Sequence, residues 1–238
     1  MQDGTLNRIR AYSFVGLMAV TGGCDTSAAL PAKPVQASVA PQAKAPDARS
    51  QTDLTRNRVW LLTPEGVFFQ DRALSEKLVR VEVPGWHWAG APYGTLPDLA
   101  LGPKGEVVIT SDVLPTLWRI DPETLAVSEH ALVLDADTDK DIGFSGLTYS
   151  SVQGVYFALS HGHGSLWRID PMLKRGQKIP LSKPVQGAHG LTVPRSDFPM
   201  RSEFLAGLCV SVPQGSWSID LAPDQRSAYL RTATCKAS

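Results

Sequence analysis

The sequence Leu-Trp-Arg-Ile-Asp-Pro at residues 117–122 returns unchanged at residues 166–171. A looser copy, Ser-Trp-Ser-Ile-Asp-Leu, occupies residues 216–221, and a fainter one, Val-Phe-Phe-Gln-Asp, occupies residues 67–71. Each copy is anchored by one aromatic residue: Phe68, Trp118, Trp167 and Trp217. These anchors are separated by 50, 49 and 50 residues. A fixed period of this length is typical of a repeat architecture.

Each repeat contains short runs of β-branched and aromatic residues that are divided by Gly, Pro, Asp or Ser. In the second repeat the runs occupy residues 97–101, 105–111, 116–121 and 125–127. This pattern predicts hairpins that follow one another along the chain. No sustained 3.6-residue apolar period occurs after residue 58. The sequence therefore predicts an all-β protein in which about four sheets of four antiparallel strands form a β-propeller over residues 57–238.

The wording of the second and third repeats resembles the broad superfamily of NHL-like, SMP-30-like and SdiA-regulated-like propellers. The segment Gly-Phe-Ser-Gly-Leu-Thr-Tyr at residues 143–149 also resembles the esterase-like-of-phytase family. The resemblance covers most of residues 96–182, and it implies a fold rather than an activity. Because those families have six or seven blades, three arrangements remain open: a compact four-bladed ring, a chain without its remaining blades, or an open stack that a partner closes.

The amino-terminal segment has the features of a secretory leader. Arg8 and Arg10 precede thirteen uncharged residues, a run too short to span a membrane. The following Val-Thr-Gly-Gly-Cys resembles the lipobox of bacterial lipoproteins, which implies lipidation of Cys24; the alternative is an ordinary signal peptide. An Asp directly after the lipidated cysteine, here Asp25, resembles a bacterial lipoprotein signal for retention in the inner membrane. We therefore expect a signal peptide over residues 1–23 and a lipid anchor on the periplasmic side of a bacterial membrane.

Residues 24–56 are rich in Ala, Pro, Gln and Ser and contain few large apolar side chains. Such a composition buries too little surface to fold, so this segment is predicted to be a disordered linker. In an oxidising compartment Cys209 and Cys235 are candidates for a disulfide, with two buried free thiols as the alternative.

The charge balance excludes one class of partner. Lys and Arg total 23, as do Asp and Glu, and the formal net charge is zero. A nucleic-acid-binding protein needs a positive field to offset phosphate charge, so nucleic acid is not expected as a partner.

The repeat register places several polar residues at one end of the propeller. Asp112 and His161 each lie six residues before the tryptophan of their repeat, and His163 shares the turn of His161. His189 and Asp98 lie where the innermost strands of their repeats begin. Three imidazoles with a carboxylate have the chemistry to hold a divalent metal or to supply a general base. Alternatively, His-Gly-His-Gly at residues 161–164 is a flexible solvated turn.

A second aromatic cluster, Trp86, His87 and Trp88, lies between the first and second repeats. These side chains are expected either to stack on a ligand or to pack over the channel mouth. We therefore hypothesise a membrane-tethered propeller that binds a small ligand or an envelope protein through its loops. The alternative is a propeller hydrolase or lyase, esterase-like or lactonase-like, that uses His161, His163 or His189.

Overall fold

The computed structural model describes residues 48–73, 77–90, 95–135, 143–193, 207–224 and 226–231. Throughout these ranges the regular elements are β-strands, and none of the described residues is helical. The strands have the following bounds: β1 Arg49–Asp53, β2 Arg58–Thr63, β3 Gly66–Asp71, β4 Leu78–Val81, β5 Leu99–Leu101, β6 Val107–Thr110, β7 Thr116–Ile120, β8 Val127–Ala131, β9 Val133–Leu134, β10 Phe144–Ser150, β11 Val155–Ser160, β12 Leu166–Ile169, β13 Arg175–Ile179, β14 Leu191–Thr192, β15 Gly207–Val212, β16 Gly215–Leu221 and β17 Ala228–Arg231.

The strands form four sheets, and each sheet contains one sequence repeat. Blade 1 has the order β1-β2-β3-β4, blade 2 has β5-β6-β7-β8, blade 3 has β10-β11-β12-β13, and blade 4 has β14-β15-β16-β17. Neighbouring strands within each blade are antiparallel; the short β9 adds to blade 3 by pairing parallel with β13. The protein is thus a four-bladed β-propeller, and the predicted fold class is confirmed.

Strand register confirms that the aromatic anchors are equivalent. Each anchor lies on the third strand of its blade and pairs with a residue of the second strand. The pairs are Phe68 with Leu61, Trp118 with Ile109, Trp167 with Ala158, and Trp217 with Val210. Because strand residues alternate between the two faces of a sheet, the same register turns each anchor toward the same side of its blade.

The described residues form three hydrophobic clusters, one between each pair of consecutive blades. Trp118 packs on blade 1, where Trp60 and Leu62 are fully buried. Trp167 packs on Val108 and Leu117 of blade 2 and is itself fully buried. Burial of one large apolar side chain stabilises the fold by about 1.5–3 kcal/mol, so these clusters hold the blades together.

In blades 2 and 3, the Asp of the tryptophan phrase closes the turn after the third strand. Asp121 Oδ1 accepts hydrogen bonds from the N–H groups of Glu123 and Thr124, at 2.9 and 2.8 Å. Asp170 accepts from the N–H groups of Met172 and Lys174, both at 2.9 Å. Asp occupies these turns because its short carboxylate caps N–H groups two to four residues later.

The first blade begins earlier than the sequence predicts. β1 spans Arg49–Asp53, inside the predicted linker of residues 24–56, and pairs with β2 along its whole length. The run Arg-Ser-Gln-Thr-Asp carries no apolar alternation, so only its pairing with β2 reveals it as a strand. The segment predicted to be a signal peptide, together with Cys24, Asp25 and Cys235, lies outside the described residues.

Candidate functional site

The starts of the innermost strands lie at one end of the propeller. β1 packs on β5, β5 on β10, and β10 on β14. The hairpins at residues 111–115 and 161–165 lie at the same end, because each joins the second strand of its blade to the third. We call this end the loop face. It carries Arg49 at the start of β1, Asp98 before β5, Ser145 in β10 and His189 before β14.

A hydrogen-bond network fixes His161 on the loop face. The Thr95 hydroxyl lies 3.1 Å from the His161 ring nitrogens, and His161 Nδ1 lies 3.2 Å from the Ala188 carbonyl oxygen. Ser145 Oγ donates to the same carbonyl at 2.6 Å. When Nδ1 donates to Ala188, Nε2 is left to accept from Thr95. The network therefore joins blade 3 to the connections that precede blades 2 and 4.

His189 is half-buried beside this network. Its Nδ1 lies 3.3 Å from the Gly187 carbonyl oxygen, which fixes the proton on Nδ1. Burial lowers the pKa of His189 below its usual value, the hydrogen bond to Gly187 opposes that effect, and the nearby Arg49 and His161 side chains lower the pKa further. The lowered pKa favours the neutral ring, in which Nδ1 donates to Gly187 and Nε2 is an acceptor.

Asp98 is a structural link between blades. Its carboxylate accepts hydrogen bonds from the N–H groups of Leu99 at 2.9 Å and Leu147 at 2.8 Å, and a further backbone bond comes from Leu191. Burial raises the pKa of Asp98 to about 6, while attraction to Arg49 and the backbone bonds lower it. Because its oxygens are committed to the inner strands of blades 2, 3 and 4, Asp98 is placed to hold the loop face rather than to contact a ligand.

Arg49 extends its guanidinium into the same region. Desolvation lowers the pKa of Arg49, and the negative charge of Asp98 opposes that effect. In the described part of the chain, its Nε and Nη2 atoms are buried and have no hydrogen-bond partner. Buried donors of this kind are rare in folded proteins, and a ligand is one of the few reasons for keeping them.

The other predicted histidine takes a different position. The side chain of His163 is exposed, whereas His161 and His189 are partly buried and close enough to influence each other. The structure therefore brings together two of the three predicted imidazoles. Across the described ranges, no group of three or more His, Cys, Asp or Glu side chains has an arrangement that could hold a metal ion.

The aromatic segment before blade 2 divides between packing and exposure. Trp86 packs against the cluster between blades 1 and 2, and its Nε1 donates to the Thr110 carbonyl at 2.9 Å. His87 is exposed and Trp88 is half-buried. Thus Trp86 takes the packing role that the sequence left open, and the two residues after it lie at the surface of the loop face.

Asp112 lies beside this segment. Its Oδ1 accepts from the Ala89 N–H at 3.4 Å. Burial raises the pKa of Asp112, and attraction to His87 and two backbone hydrogen bonds lower it. Neither Asp112 Oδ2 nor Trp88 Nε1, both buried, has a hydrogen-bond partner in the portion that the structure describes.

Sequence reasoning missed Arg49 and Thr95 as members of this site. Arg49 lies in a segment whose composition predicts a linker, and Thr95 belongs to no repeated motif. The only available signal was positional: residues just before an innermost strand belong to the loop face. That signal identified Asp98 and His189, but it requires the start of β1 to be known before it can identify Arg49.

Cys209 in β15 is buried and disulfide-bonded. The other two cysteines of the chain, Cys24 and Cys235, lie outside the described residues. The pairing of Cys209 with Cys235 therefore stays a prediction.

A groove with a volume of about 560 Å³ lies away from the loop face, at the outer edge of blade 3. It is lined by β9, by the turn after β12 and by the start of β13. Arg168 and Arg175 bring positive charge to its lining, and Asp135 and Asp170 bring negative charge. None of the predicted site residues lines it.

Comparison with known proteins agrees with the fold. No protein-family model matches the chain. No curated protein matches it either. A solved streptogramin B lyase superposes with a TM-score of 0.53 at 12% identity, over 79% of this chain and 54% of that one. The likeness is one of fold alone.

Two bacterial structures give the same result. An auxiliary nutrient binding protein from Bacteroides thetaiotaomicron VPI-5482 superposes with a TM-score of 0.52 at 12% identity, over 79% of this chain and 42% of that one. A protein of unknown function from the same organism gives 0.51 at 14% identity, over 76% and 46%. The chain thus spans about half the length of these structures.

Over the described residues, no helix is long and apolar enough to cross a membrane.

Proposed function

We propose that this propeller binds a small ligand, or a group on an envelope protein, through its loop face. The observation that carries the proposal is the network in which His161 and Ser145 converge on the Ala188 carbonyl, while the Thr95 hydroxyl contacts the His161 ring. The network holds a polar side chain from the connection before blade 2 against two side chains of blade 3. Binding sites need this kind of fixed framework, because an ordered site loses less entropy when the ligand binds.

The unpartnered polar atoms support a binding role over a purely structural one. Arg49, Trp88 and Asp112 each bury a donor or acceptor that is unpaired within the described ranges. Leaving such a group unpaired costs about 1–3 kcal/mol, which the polar groups of a ligand at the loop face would offset; buried atoms of this kind also occur elsewhere in the described residues, at Trp60 and Gln153. All three residues belong to the loop face or the segment beside it.

The proposal is tested by ligand screening of the full chain with Cys24→Ser, which removes the predicted anchor. Thermal shift measured against neutral sugars, amines, carboxylates and short peptides should identify a stabilising compound. The His161→Ala variant should weaken binding at least tenfold, because it breaks the network that holds the site. Val152→Ala, in the exposed turn between β10 and β11 at the opposite end, is the matched control and should bind normally. Equal binding by both variants would contradict the proposal.

An enzymatic function remains the second candidate, and His189 is the observation that favours it. A neutral imidazole with an acceptor Nε2 beside a guanidinium can take a proton from a bound substrate. If the chain turns over an ester or a lactone, His189→Ala should abolish turnover and leave binding intact. If the bound ligand stays chemically unchanged, the enzymatic candidate is contradicted and only the binding function is supported.

The proposed location is the periplasmic side of a bacterial membrane, with Cys24 lipidated. The amino-terminal sequence supports this proposal, because a lipobox-like segment precedes a Pro-rich tether. In a bacterial host the native chain should fractionate with membranes, and Cys24→Ser should be released to the soluble periplasmic fraction. If the native chain is also soluble there, the tether is disproved; residue Asp25 can be tested separately through inner- and outer-membrane fractionation.

A further inference from the structure

We infer that Arg49 is the recognition residue for a carboxylate group on the ligand. This inference rests on the proposed binding function and adds the chemical class of the ligand. It begins from the two atoms of Arg49 that are buried without a partner in the described structure, Nε and Nη2.

These two atoms are not an arbitrary pair. Nε–H and the adjacent Nη2–H point in the same direction along one edge of the planar guanidinium. The edge presents two parallel donors, and a carboxylate presents two acceptor oxygens at a matching separation. The unpaired part of Arg49 is therefore a complete bidentate fork.

The protein's own nearby carboxylate does not occupy this fork. Asp98 attracts Arg49, but its oxygens accept the N–H groups of Leu99 and Leu147 and a further backbone bond from Leu191. Turning Asp98 toward Arg49 would leave those buried N–H groups unpaired. The fork is consequently left for an external group.

The neighbouring ring favours the same ligand. The Nδ1 proton of His189 is directed at Gly187, and burial together with the charge of Arg49 favours the neutral ring, so His189 adds no positive charge of its own. With His189 neutral, one guanidinium offsets a single negative charge, which matches a carboxylate better than a phosphate dianion.

The burial of Nε and Nη2 sets the route of entry. Arg49 is partly exposed as a residue, so binding at the buried fork requires the guanidinium to turn toward solvent while β1 stays paired. Its backbone stays fixed, since β1 pairs with β2 over all five residues.

The test is a titration of the full chain carrying Cys24→Ser with acetate, acetamide and inorganic phosphate, followed by ¹H–¹⁵N NMR of the arginine Nε–H signals. Acetate should shift the Arg49 Nε–H signal in a saturable manner, whereas acetamide, its neutral isostere, should not. Arg49→Met should lose saturable acetate binding. Arg49→Lys should bind acetate at least tenfold more weakly, because it keeps the charge but lacks the fork.

Arg80→Met is the matched control, since Arg80 lies in the same blade, is largely exposed and pairs with Glu82 at 3.2 Å. The Arg80→Met variant should bind acetate with the same affinity as the protein that retains Arg80. Should Arg49→Met fail to give a native near-ultraviolet circular dichroism spectrum, Arg49→Lys provides the comparison. Acetate binding that is unchanged in the Arg49 variants, or phosphate binding tighter than acetate, would overturn the inference.

The two proposals fail in different ways. If neutral ligands bind the loop face in an His161-dependent manner while acetate leaves Arg49 unshifted, the carboxylate assignment is wrong and the binding function stands. If no compound perturbs the loop face, the proposed function fails as well.

Discussion

The carboxylate of Asp98, which precedes the innermost strand of blade 2, accepts a hydrogen bond of 2.8 Å from the backbone N–H of Leu147 in blade 3. This hydrogen bond joins blade 2 to blade 3 at their innermost strands. A site on the loop face therefore depends on a buried ionisable group that belongs to the framework itself.

The charge state of Asp98 should give the protein a recognisable pH dependence. Its folded pKa, about 6, lies above its unfolded value of 3.8, so the folded state binds the proton more tightly. Stability from this group therefore increases as pH falls through 6 toward 4, by about 3 kcal/mol in total, and is absent above both pKa values. Asp98→Asn should remove this increment from urea-unfolding free energies measured at pH 4, 5, 6 and 7.

Arg49 carries charge near Asp98, and His189 in turn lies near Arg49. The comparison is therefore made between the native chain and the Asp98→Asn variant at each pH, which cancels their contribution to first order. Asp121→Asn is the control of opposite sign, because hydrogen bonds from Thr124 and Glu123 lower the pKa of Asp121. A difference between Asp98→Asn and the native chain that is constant from pH 4 to 7 would refute the prediction.

Trp167 should be a principal source of stability. Its ring is fully buried between blades 2 and 3 and meets Phe144 edge-on, with ring centroids 6.5 Å apart. Trp167→Ala should reduce the free energy of unfolding by about 3–5 kcal/mol, because it opens a large cavity. Tyr229→Ala is the exposed aromatic control, and its effect should stay within about 0.5 kcal/mol. Equal effects in chemical denaturation would show that Trp167 is not inter-blade core.

The His161 hairpin contains two glycines with different requirements. Gly164 has φ +60°, and an added Cβ would lie 2.6 Å from the backbone nitrogen of Val185. Gly162 has open space around its Cβ position. Gly164→Ala should therefore lower the unfolding free energy by more than about 1 kcal/mol and weaken ligand binding, through strain and the clash.

Gly162→Ala should leave both properties nearly unchanged, which makes it a control within the same turn. Thermal unfolding and binding of the two variants can be measured in parallel. A Gly164→Ala protein with native stability and affinity would show that the hairpin adapts freely, contrary to a fixed site.

The predicted Cys209–Cys235 disulfide can be checked by peptide mapping without reduction. We expect one cross-linked peptide pair containing both residues, and no such pair in Cys235→Ser. Loss of the cross-link should reduce the unfolding free energy by about 2–4 kcal/mol, because a closed loop restricts the unfolded chain. The unmutated protein can also be unfolded in denaturant without a reducing agent and then treated with an alkylating reagent. Complete alkylation of Cys209 under these conditions would contradict a disulfide.

The repeat could be predicted from the sequence because each blade packs on its neighbour with similar side chains at equivalent strand positions. A tryptophan every 49 or 50 residues and an Asp that closes the next turn specify equivalent strands, and the pairing of Trp118, Trp167 and Trp217 confirms this. The approximate position of His161 and His189 followed from the same register. β1 was not readable as a strand, since Arg-Ser-Gln-Thr-Asp lacks the alternation that marks a half-buried strand.

The sequence by itself determined that the chain consists of four similar β-repeats and which residues share an end of each repeat, because both follow from local periodicity. Tertiary structure decided what those residues do there. It committed Asp98 to backbone N–H groups, turned Trp86 into the core, left His163 exposed, and placed Arg49 beside His189. Hydrogen-bond partners and burial depend on groups that are distant along the chain and adjacent only after the blades have packed, so no local pattern encodes them.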